Sequence, residues 1–235
     1  MRVAFLACAV WCVTGAVASA QEAAKEVYAD DFEKGMDHWE PAGGEPSFEI
    51  VEVDGPDGAK SHALRAKGNS KYEPDFRSPP NIAILKDVNV GDFELDVKVL
   101  STRPEAGPHR DLCVVWGYQD PNHFYYVHLG AVNTPDTNSC QIFVVDNAQR
   151  TPITLKQVEG GTPWTEGWID VKVTRNVETG EMDVFFNDMT KPFMSAKDDR
   201  FKWGRVGLGT FDDHGNFESF TLKGVEVKPE VAATK

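Results

Sequence analysis

Beyond residue 20 the chain has no apolar run as long as the roughly 20 residues a membrane-spanning helix needs, so no membrane insertion is expected. Basic residues are also scarce: 24 Lys and Arg stand against 37 Asp and Glu, a net charge of −13. Such a chain repels phosphates at long range, which removes nucleic acid and anionic lipid from the expected partners. Cysteine is rare, with four in 235 residues. There is no N-x-S/T sequon, no low-complexity tract, no internal repeat and almost nothing at helical period. The sequence also lacks a G-x-S-x-G elbow, so no serine nucleophile is signalled. Its six histidines, His38, His62, His109, His123, His128 and His214, lack the close spacing of zinc sites, and no catalytic metal is implied.

What is present begins with MRVAFLACAVWCVTGAVASAQ: a basic Arg2, an apolar run and the small residues Ala18-Ser19-Ala20. That pattern reads as a secretory signal peptide cut after Ala20, giving a secreted or periplasmic protein. With Arg2 removed, 23 basic residues face 37 acidic ones, a charge of −14. Residues 21–228 then read as one domain, opening on QEAAKEV as a short leader, and 229–235 as a frayed tail. Cys113 and Cys140 survive the cut. Export favours a disulfide, whereas a strand lying between them would hold them about 9 to 10 Å apart, so the bond stays open.

Short alternating runs divided by Gly, Pro, Asn and Asp dominate the rest: SFEIVEV, HALRA, NIAIL, FELDVKVL, DLCVVWGY, HFYYVHL, CQIFVVD, WIDVKVTR, EMDVFFN, RVGLGTF and FESFTLKGVEV. More than ten strands at this spacing predict an all-β, two-sheet antiparallel sandwich. In the hairpin DLCVVWGYQDPNHFYYVHLG, a four-residue loop at Gln119–Asn122 sets Tyr118 opposite His123, Trp116 opposite Tyr125, Val114 opposite Val127 and Leu112 opposite Leu129. That nearly apolar face is assigned to the core. The other face carries Cys113, Val115, Gly117, Phe124, Tyr126 and His128, and is read as a partly open surface. Phe124, Tyr126 and His128, joined by Arg110 and Gln141, would form a shallow polar–aromatic groove. Among Trp39, Tyr72, Trp164 and Trp203, Trp164 in GGTPWTEGW is the best candidate for an exposed stacking ring, while Trp168 is read as packing inward.

The segments DDFEKGMDHW, VWGYQDPNHFYYVHL, GWIDVKVTRNVETGEMDVFFND and GRVGLGTFDDHGNFESFTLKGVEV together resemble the concanavalin A-like, or laminin G-like, jelly-roll superfamily. The nearest likeness is to bacterial exported domains of the 3-keto-disaccharide hydrolase type. The resemblance implies a jelly-roll sandwich whose concave sheet and rim loops bind or cleave polysaccharide. It also implies that a structural calcium ion could pin the two ends of the sandwich, with Asp31 of ADDFE and Glu218 of FDDHGNFE as candidate ligands; no other cofactor is required.

Catalytic constellations are incomplete. Glu94-Leu95-Asp96 opens like the E-x-D-x-x-E strand of laminarinase-type hydrolases, but Lys98 and Val99 stand where its last glutamate would fall. The pair reads instead as the polar face of a half-buried strand. His109-Arg110-Asp111-Leu112 matches the start of a kinase catalytic loop by coincidence, because Trp116 replaces the required asparagine. The leading expectation is an exported, non-catalytic domain binding a poly- or oligosaccharide. The alternatives are a glycoside hydrolase or lyase, with His128 as acid or base beside Asp111 or Glu94, and a structural or protein-interaction sandwich without small ligand.

Overall fold

The computed structural model describes residues 24–44, 47–133 and 139–228. The segments expected to be a signal peptide and a frayed tail lie outside the described residues. Among those described, no helix is long and apolar enough to cross a membrane, and the only helical pieces are two short 3-10 turns, Ala42–Gly44 and Pro104–His109.

Among the described residues, fifteen strands build two antiparallel sheets. They are β1 (Lys25–Asp30), β2 (Trp39–Pro41), β3 (Phe48–Asp54), β4 (Lys60–Ala66), β5 (Asn81–Leu85), β6 (Val90–Ser101), β7 (Leu112–Asp120), β8 (His123–Leu129), β9 (Cys140–Asp146), β10 (Thr151–Pro152), β11 (Ile169–Arg175), β12 (Glu181–Phe186), β13 (Met194–Lys197), β14 (Arg205–Thr210) and β15 (Gly215–Glu226). One sheet runs β13-β12-β11-β6-β15-β4-β3, with β1 also paired to β15; the other runs β10-β9-β8-β7-β14-β5-β2. Lys25–Val27 open β1 rather than belonging to a leader.

The two sheets differ in how their outer faces are treated. In the first, β6 and β11 alternate strictly: Phe93, Leu95, Val97, Val99, Ile169, Val171 and Val173 point into the core, while Glu94, Asp96, Lys98, Asp170 and Lys172 point out. The outward charges pair across strands, Lys172 with Glu94 at 3.2 Å and Asp96 at 3.5 Å, and Lys98 with Asp170 at 2.5 Å. Glu94 and Asp96 are thus the polar face of an ordinary strand. In the second sheet, β5, β7, β8 and β9 are buried almost throughout. A second apolar cluster of Ile82, Ile84, Cys113, Val115, Tyr118, Phe124, Tyr126, Phe143 and Val145 covers its outer side. Continuous apolar runs such as CQIFVV mark strands buried on both faces.

The hairpin follows the expected register at Trp116↔Tyr125 and Val114↔Val127, and Trp116, Tyr125, Val127 and Leu129 lie in the core. It departs from it near the tip. Gly117 adopts φ +60 in a bulge, so His123 pairs with Asp120 across Pro121-Asn122, and Tyr118 turns to the outer face. The bulge accepts close backbone approach: a Cβ at Gly204 would run into the Gly117–Tyr118 peptide. Cys113 and Cys140 are unbonded and face opposite sides of their sheet, one toward the outer cluster and one toward the main core.

Candidate functional site

The open groove expected along β8 is filled. Phe124 is 1% exposed, Tyr126 0%, His128 5% and Gln141 5%. Their rings form part of the outer cluster, with Tyr118–Phe124 centroids 5.5 Å apart, Phe124–Tyr126 6.0 Å and Tyr126–Phe143 5.2 Å. Phe76, Phe211 and Ala42 pack over this layer. Arg150 closes it further, its guanidinium 4.3 Å above the Phe143 ring and donating to the Tyr126 hydroxyl at 2.8 Å. Burial pushes that hydroxyl's pKa up. The error was to take one apolar face of the hairpin as the only covered one.

Beyond His128 the cluster becomes polar. His128 Nε2 lies 3.3 Å from Asp111 Oδ2, and its ring packs against Phe211 at 4.7 Å. Asp111 Oδ1 accepts from the Thr210 hydroxyl at 2.8 Å. Asp213 Oδ2 accepts from Ser101 Oγ at 2.9 Å and from the Asp111 amide at 3.3 Å, and its Oδ1 from the His214 amide at 2.7 Å. Burial, assisted by the Asp111 charge, lifts Asp213 to about 6 against these bonds. Arg110, 8% exposed, donates to Ser101 Oγ at 3.0 Å and to Thr165 O at 2.7 Å. It is therefore a buried structural cation rather than the groove residue expected.

Trp164 meets Arg110 as a cation–π partner at 5.3 Å, but it is not an exposed platform. Its Nε1 donates to Leu129 O at 2.7 Å and it stands edge-on to Phe186. Trp168, read as inward, is instead half-buried, reaching Asp54 O at 2.9 Å. The two tryptophans exchange roles because Trp164 follows Thr162, whose amide is fixed to Gly130 O, and is drawn over the sandwich end.

An open cleft of about 590 Å³ lies elsewhere, lined by Tyr28, Asp30, Asp31, Lys34, Asp37, His38, Ser219 and Thr221 among others. Asp30, the last residue of β1, organises it: Oδ1 accepts from the Phe32 amide at 2.8 Å, and Oδ2 from the Tyr28 hydroxyl at 2.8 Å and Trp39 Nε1 at 2.9 Å. The chain then turns through Gly35 (φ 93), with Gly35 N bonded to Phe32 O and Trp39 N to Met36 O. Opposite, Ser219 (φ 51) makes the bulge at which the β15–β6 register shifts. The Tyr28 and His38 rings meet edge-on at 5.8 Å. Asp31, Lys34, Asp37, His38 and Ser219 are exposed. Sequence reasoning singled out only Asp31 of this set, and as a metal ligand; the signal it passed over was an acidic turn, DDFEKGMDH, closing on a buried tryptophan.

Asp31 and Glu218 are brought to the same end by the Asp30↔Phe220 pairing. Asp31 Oδ1 accepts from the Glu33 amide at 3.2 Å, and the Glu218 carboxylate is taken by Ser61 Oγ at 3.3 Å and by the Ser219 hydroxyl. Among the described residues, no group of three His, Cys, Asp or Glu side chains is placed to hold an ion.

No protein-family profile and no curated protein sequence matches the chain. Solved structures do. The carbohydrate-binding module CBM66 from Bacillus subtilis superposes with a TM-score of 0.53 at 15% identity, over 80% of this chain and 97% of that one. A protein of unknown function with a galectin-like fold, also from Bacillus subtilis, gives 0.53 at 9% identity, over 87% and 98%. The cellulose induced protein Cip1 gives 0.51 at 10% identity, over 86% and 100%. At such identities the likeness establishes the fold, a concanavalin A-like jelly-roll sandwich.

Proposed function

We propose that this protein is an exported, non-catalytic carbohydrate-binding sandwich that holds its ligand in the cleft between the 31–38 turn and the 219–221 bulge. The observation that carries the reading is a contrast of access. The cleft is open and lined by the Tyr28 and His38 side chains and by polar residues, whereas the His128–Asp111 pair that would do acid–base work has side chains only 6% exposed. A neutral glycan is held by stacking an apolar sugar face on a ring while a few polar groups take its hydroxyls. Tyr28 and His38 supply the rings, and Asp31, Asp37, Lys34, Ser219 and Thr221 the polar partners. Asp30, Asp31 and Asp37 outnumber Lys34, which favours neutral or amino sugars in this cleft. One protein of similar fold is itself a carbohydrate-binding module, which agrees with the reading.

The second reading, a glycoside hydrolase or lyase, is favoured by one observation: His128 and Asp111 stand 3.3 Å apart with Asp213 lifted to about 6 beside them. A glycan array followed by product analysis on the hits separates the two. Retention without cleavage supports the binding domain, and new reducing ends or unsaturated products support the enzyme. Silence across a broad panel contradicts both.

A further inference from the structure

Along one edge of the sandwich the two sheets are stitched together. β13 ends the first sheet, and its outer side is met by residues 153–155. Thr154 bridges Ala196, and the Leu155 amide donates to Ser195 O at 2.8 Å. The same segment is tied to the second sheet, where the Ile153 amide donates to Ile142 O at 2.9 Å and Thr154 Oγ1 accepts from the Ile142 amide at 2.8 Å. With these main-chain groups bonded, a further strand finds no free edge to extend at this point. What the edge offers is side chains.

Leu155 is 70% exposed, the more exposed of two such large apolar side chains among the described residues, the other being Val225 at 50%. A single exposed leucine needs no explanation. Leu155, however, lines an open cleft of about 630 Å³ whose other apolar walls are Val158, Phe186, Phe193 and Met194. These side chains carry the main core to the surface: the Phe186 and Phe193 rings lie 5.8 Å apart, and Phe193 and Val158 are only partly covered. An apolar knob and an apolar hollow thus lie side by side, and the bonds through residues 153–155 hold the knob in place, so little order is lost when it docks. The charges around the cleft are balanced. Lys156 and Glu159 stand on the loop after Leu155, Asp188 and Lys191 on the turn from β12 to β13, and all four are exposed. In a chain of net charge −13 that balance sets the patch apart. It is neutral ground on which a like-charged copy can approach.

We infer that this cleft is the interface of a homodimer, in which Leu155 of each copy enters the hollow of the other across a two-fold axis. Such a contact is isologous: the loop of one copy lies on the turn of the second, and the reverse contact is identical. A knob beside its own hollow is what that symmetry requires. Each loop, with one cation and one anion, meets a turn of the same composition, so opposite charges pair on both sides of the axis. The contact is independent of the carbohydrate reading, whose cleft is built by other residues.

Sedimentation velocity of the intact chain across the micromolar range tests this, at about 0.15 M salt, where repulsion between copies is screened beyond roughly 8 Å. Wild type shifts from monomer to dimer as concentration rises. Leu155→Asp lowers the association constant at least tenfold, Leu155→Met keeps it within threefold, and Val225→Asp leaves it unchanged. Glu159→Lys makes the loop cationic, and Lys191→Glu makes the turn anionic. Each of these two variants associates at least fivefold more weakly than wild type on its own. An equimolar mixture of them recovers wild-type association, because the altered loop meets the altered turn while the other loop and turn are unchanged. All the substituted side chains are exposed, so Tm and circular dichroism stay at their wild-type values. A wild type that is monomeric throughout, association that survives Leu155→Asp, or a mixture no tighter than its components would overturn the dimer.

Discussion

His128 Nε2 sits 3.3 Å from Asp111 Oδ2 inside the sandwich, where both side chains are only 6% exposed. The pair joins β8 to the start of β7, and through Thr210, Asp213 and Ser101 it ties together the ends of three further elements. Its geometry resembles that of an acid–base dyad, yet its surroundings are those of a structural network.

Asp111→Ala removes the carboxylate that stands 3.3 Å from His128 Nε2 and accepts from the Thr210 hydroxyl and the Phe211 amide, and losing these buried polar contacts costs on the order of 3 kcal/mol. For a domain of this size that is a fall in Tm of roughly 6 to 12 °C. Calorimetry reads the fall. Binding of an array hit measured well below the new Tm stays within twofold of wild type, and a loss of binding in the still-folded variant would make the pair functional.

The raised pKa of Asp213 sets a pH dependence. Burial lifts its carboxyl from 3.8 to about 6 in the folded protein, so protonation favours the native state. That contribution is complete below about 4 and is lost as pH rises through 6, a change on the order of 3 kcal/mol. Asp213→Asn, which keeps the shape without the charge, removes this slope. Urea unfolding at pH 4, 5, 6 and 7 should show the variant gaining on wild type as pH rises; parallel curves would mean that Asp213 titrates normally.

The two thiols predict an insensitivity. Cys113 and Cys140 lie on opposite sides of one sheet, and burial raises both pKa values, that of Cys140 to about 11. Iodoacetamide at pH 8 therefore labels neither in the native state and both after denaturation, and dithiothreitol leaves Tm unchanged. A Tm that falls on reduction would reveal a bond.

Much of this fold was legible because its strands obey simple patterns. NIAIL, HFYYVHL and CQIFVVD coincide with β5, β8 and β9, and the Trp116↔Tyr125 pairing expected from a four-residue loop is found, although the turn itself is Pro121-Asn122 preceded by a bulge. The tip was misread because Gly117 permits a bulge, which shifts the register by two residues against β8 and by one against β14 and moves Tyr118 to the other face. The site was legible only in part. A hairpin pattern shows which face is apolar, but it cannot show that Phe76 and Phe211, distant in sequence, cover the remaining one. Trp164 looked exposed for the same reason: its glycine- and proline-rich surroundings are local, while the Leu129 carbonyl that captures its indole is 35 residues away. Asp31 was found because acidic turns stand out, and Tyr28 and His38 were missed because their meeting depends on Asp30 holding the turn.

The central claim is that the open cleft, and not the sealed face of β8, holds the principal glycan. Isothermal titration of an array hit into wild type and into the Asp37→Ala, His38→Ala double variant tests it most directly. Both residues are exposed, so Tm should move by less than about 2 °C, in keeping with surface substitutions of within roughly 0.5 kcal/mol. The account predicts at least a tenfold loss of affinity with no new reducing ends from either protein. Unchanged affinity in the folded double variant would contradict it.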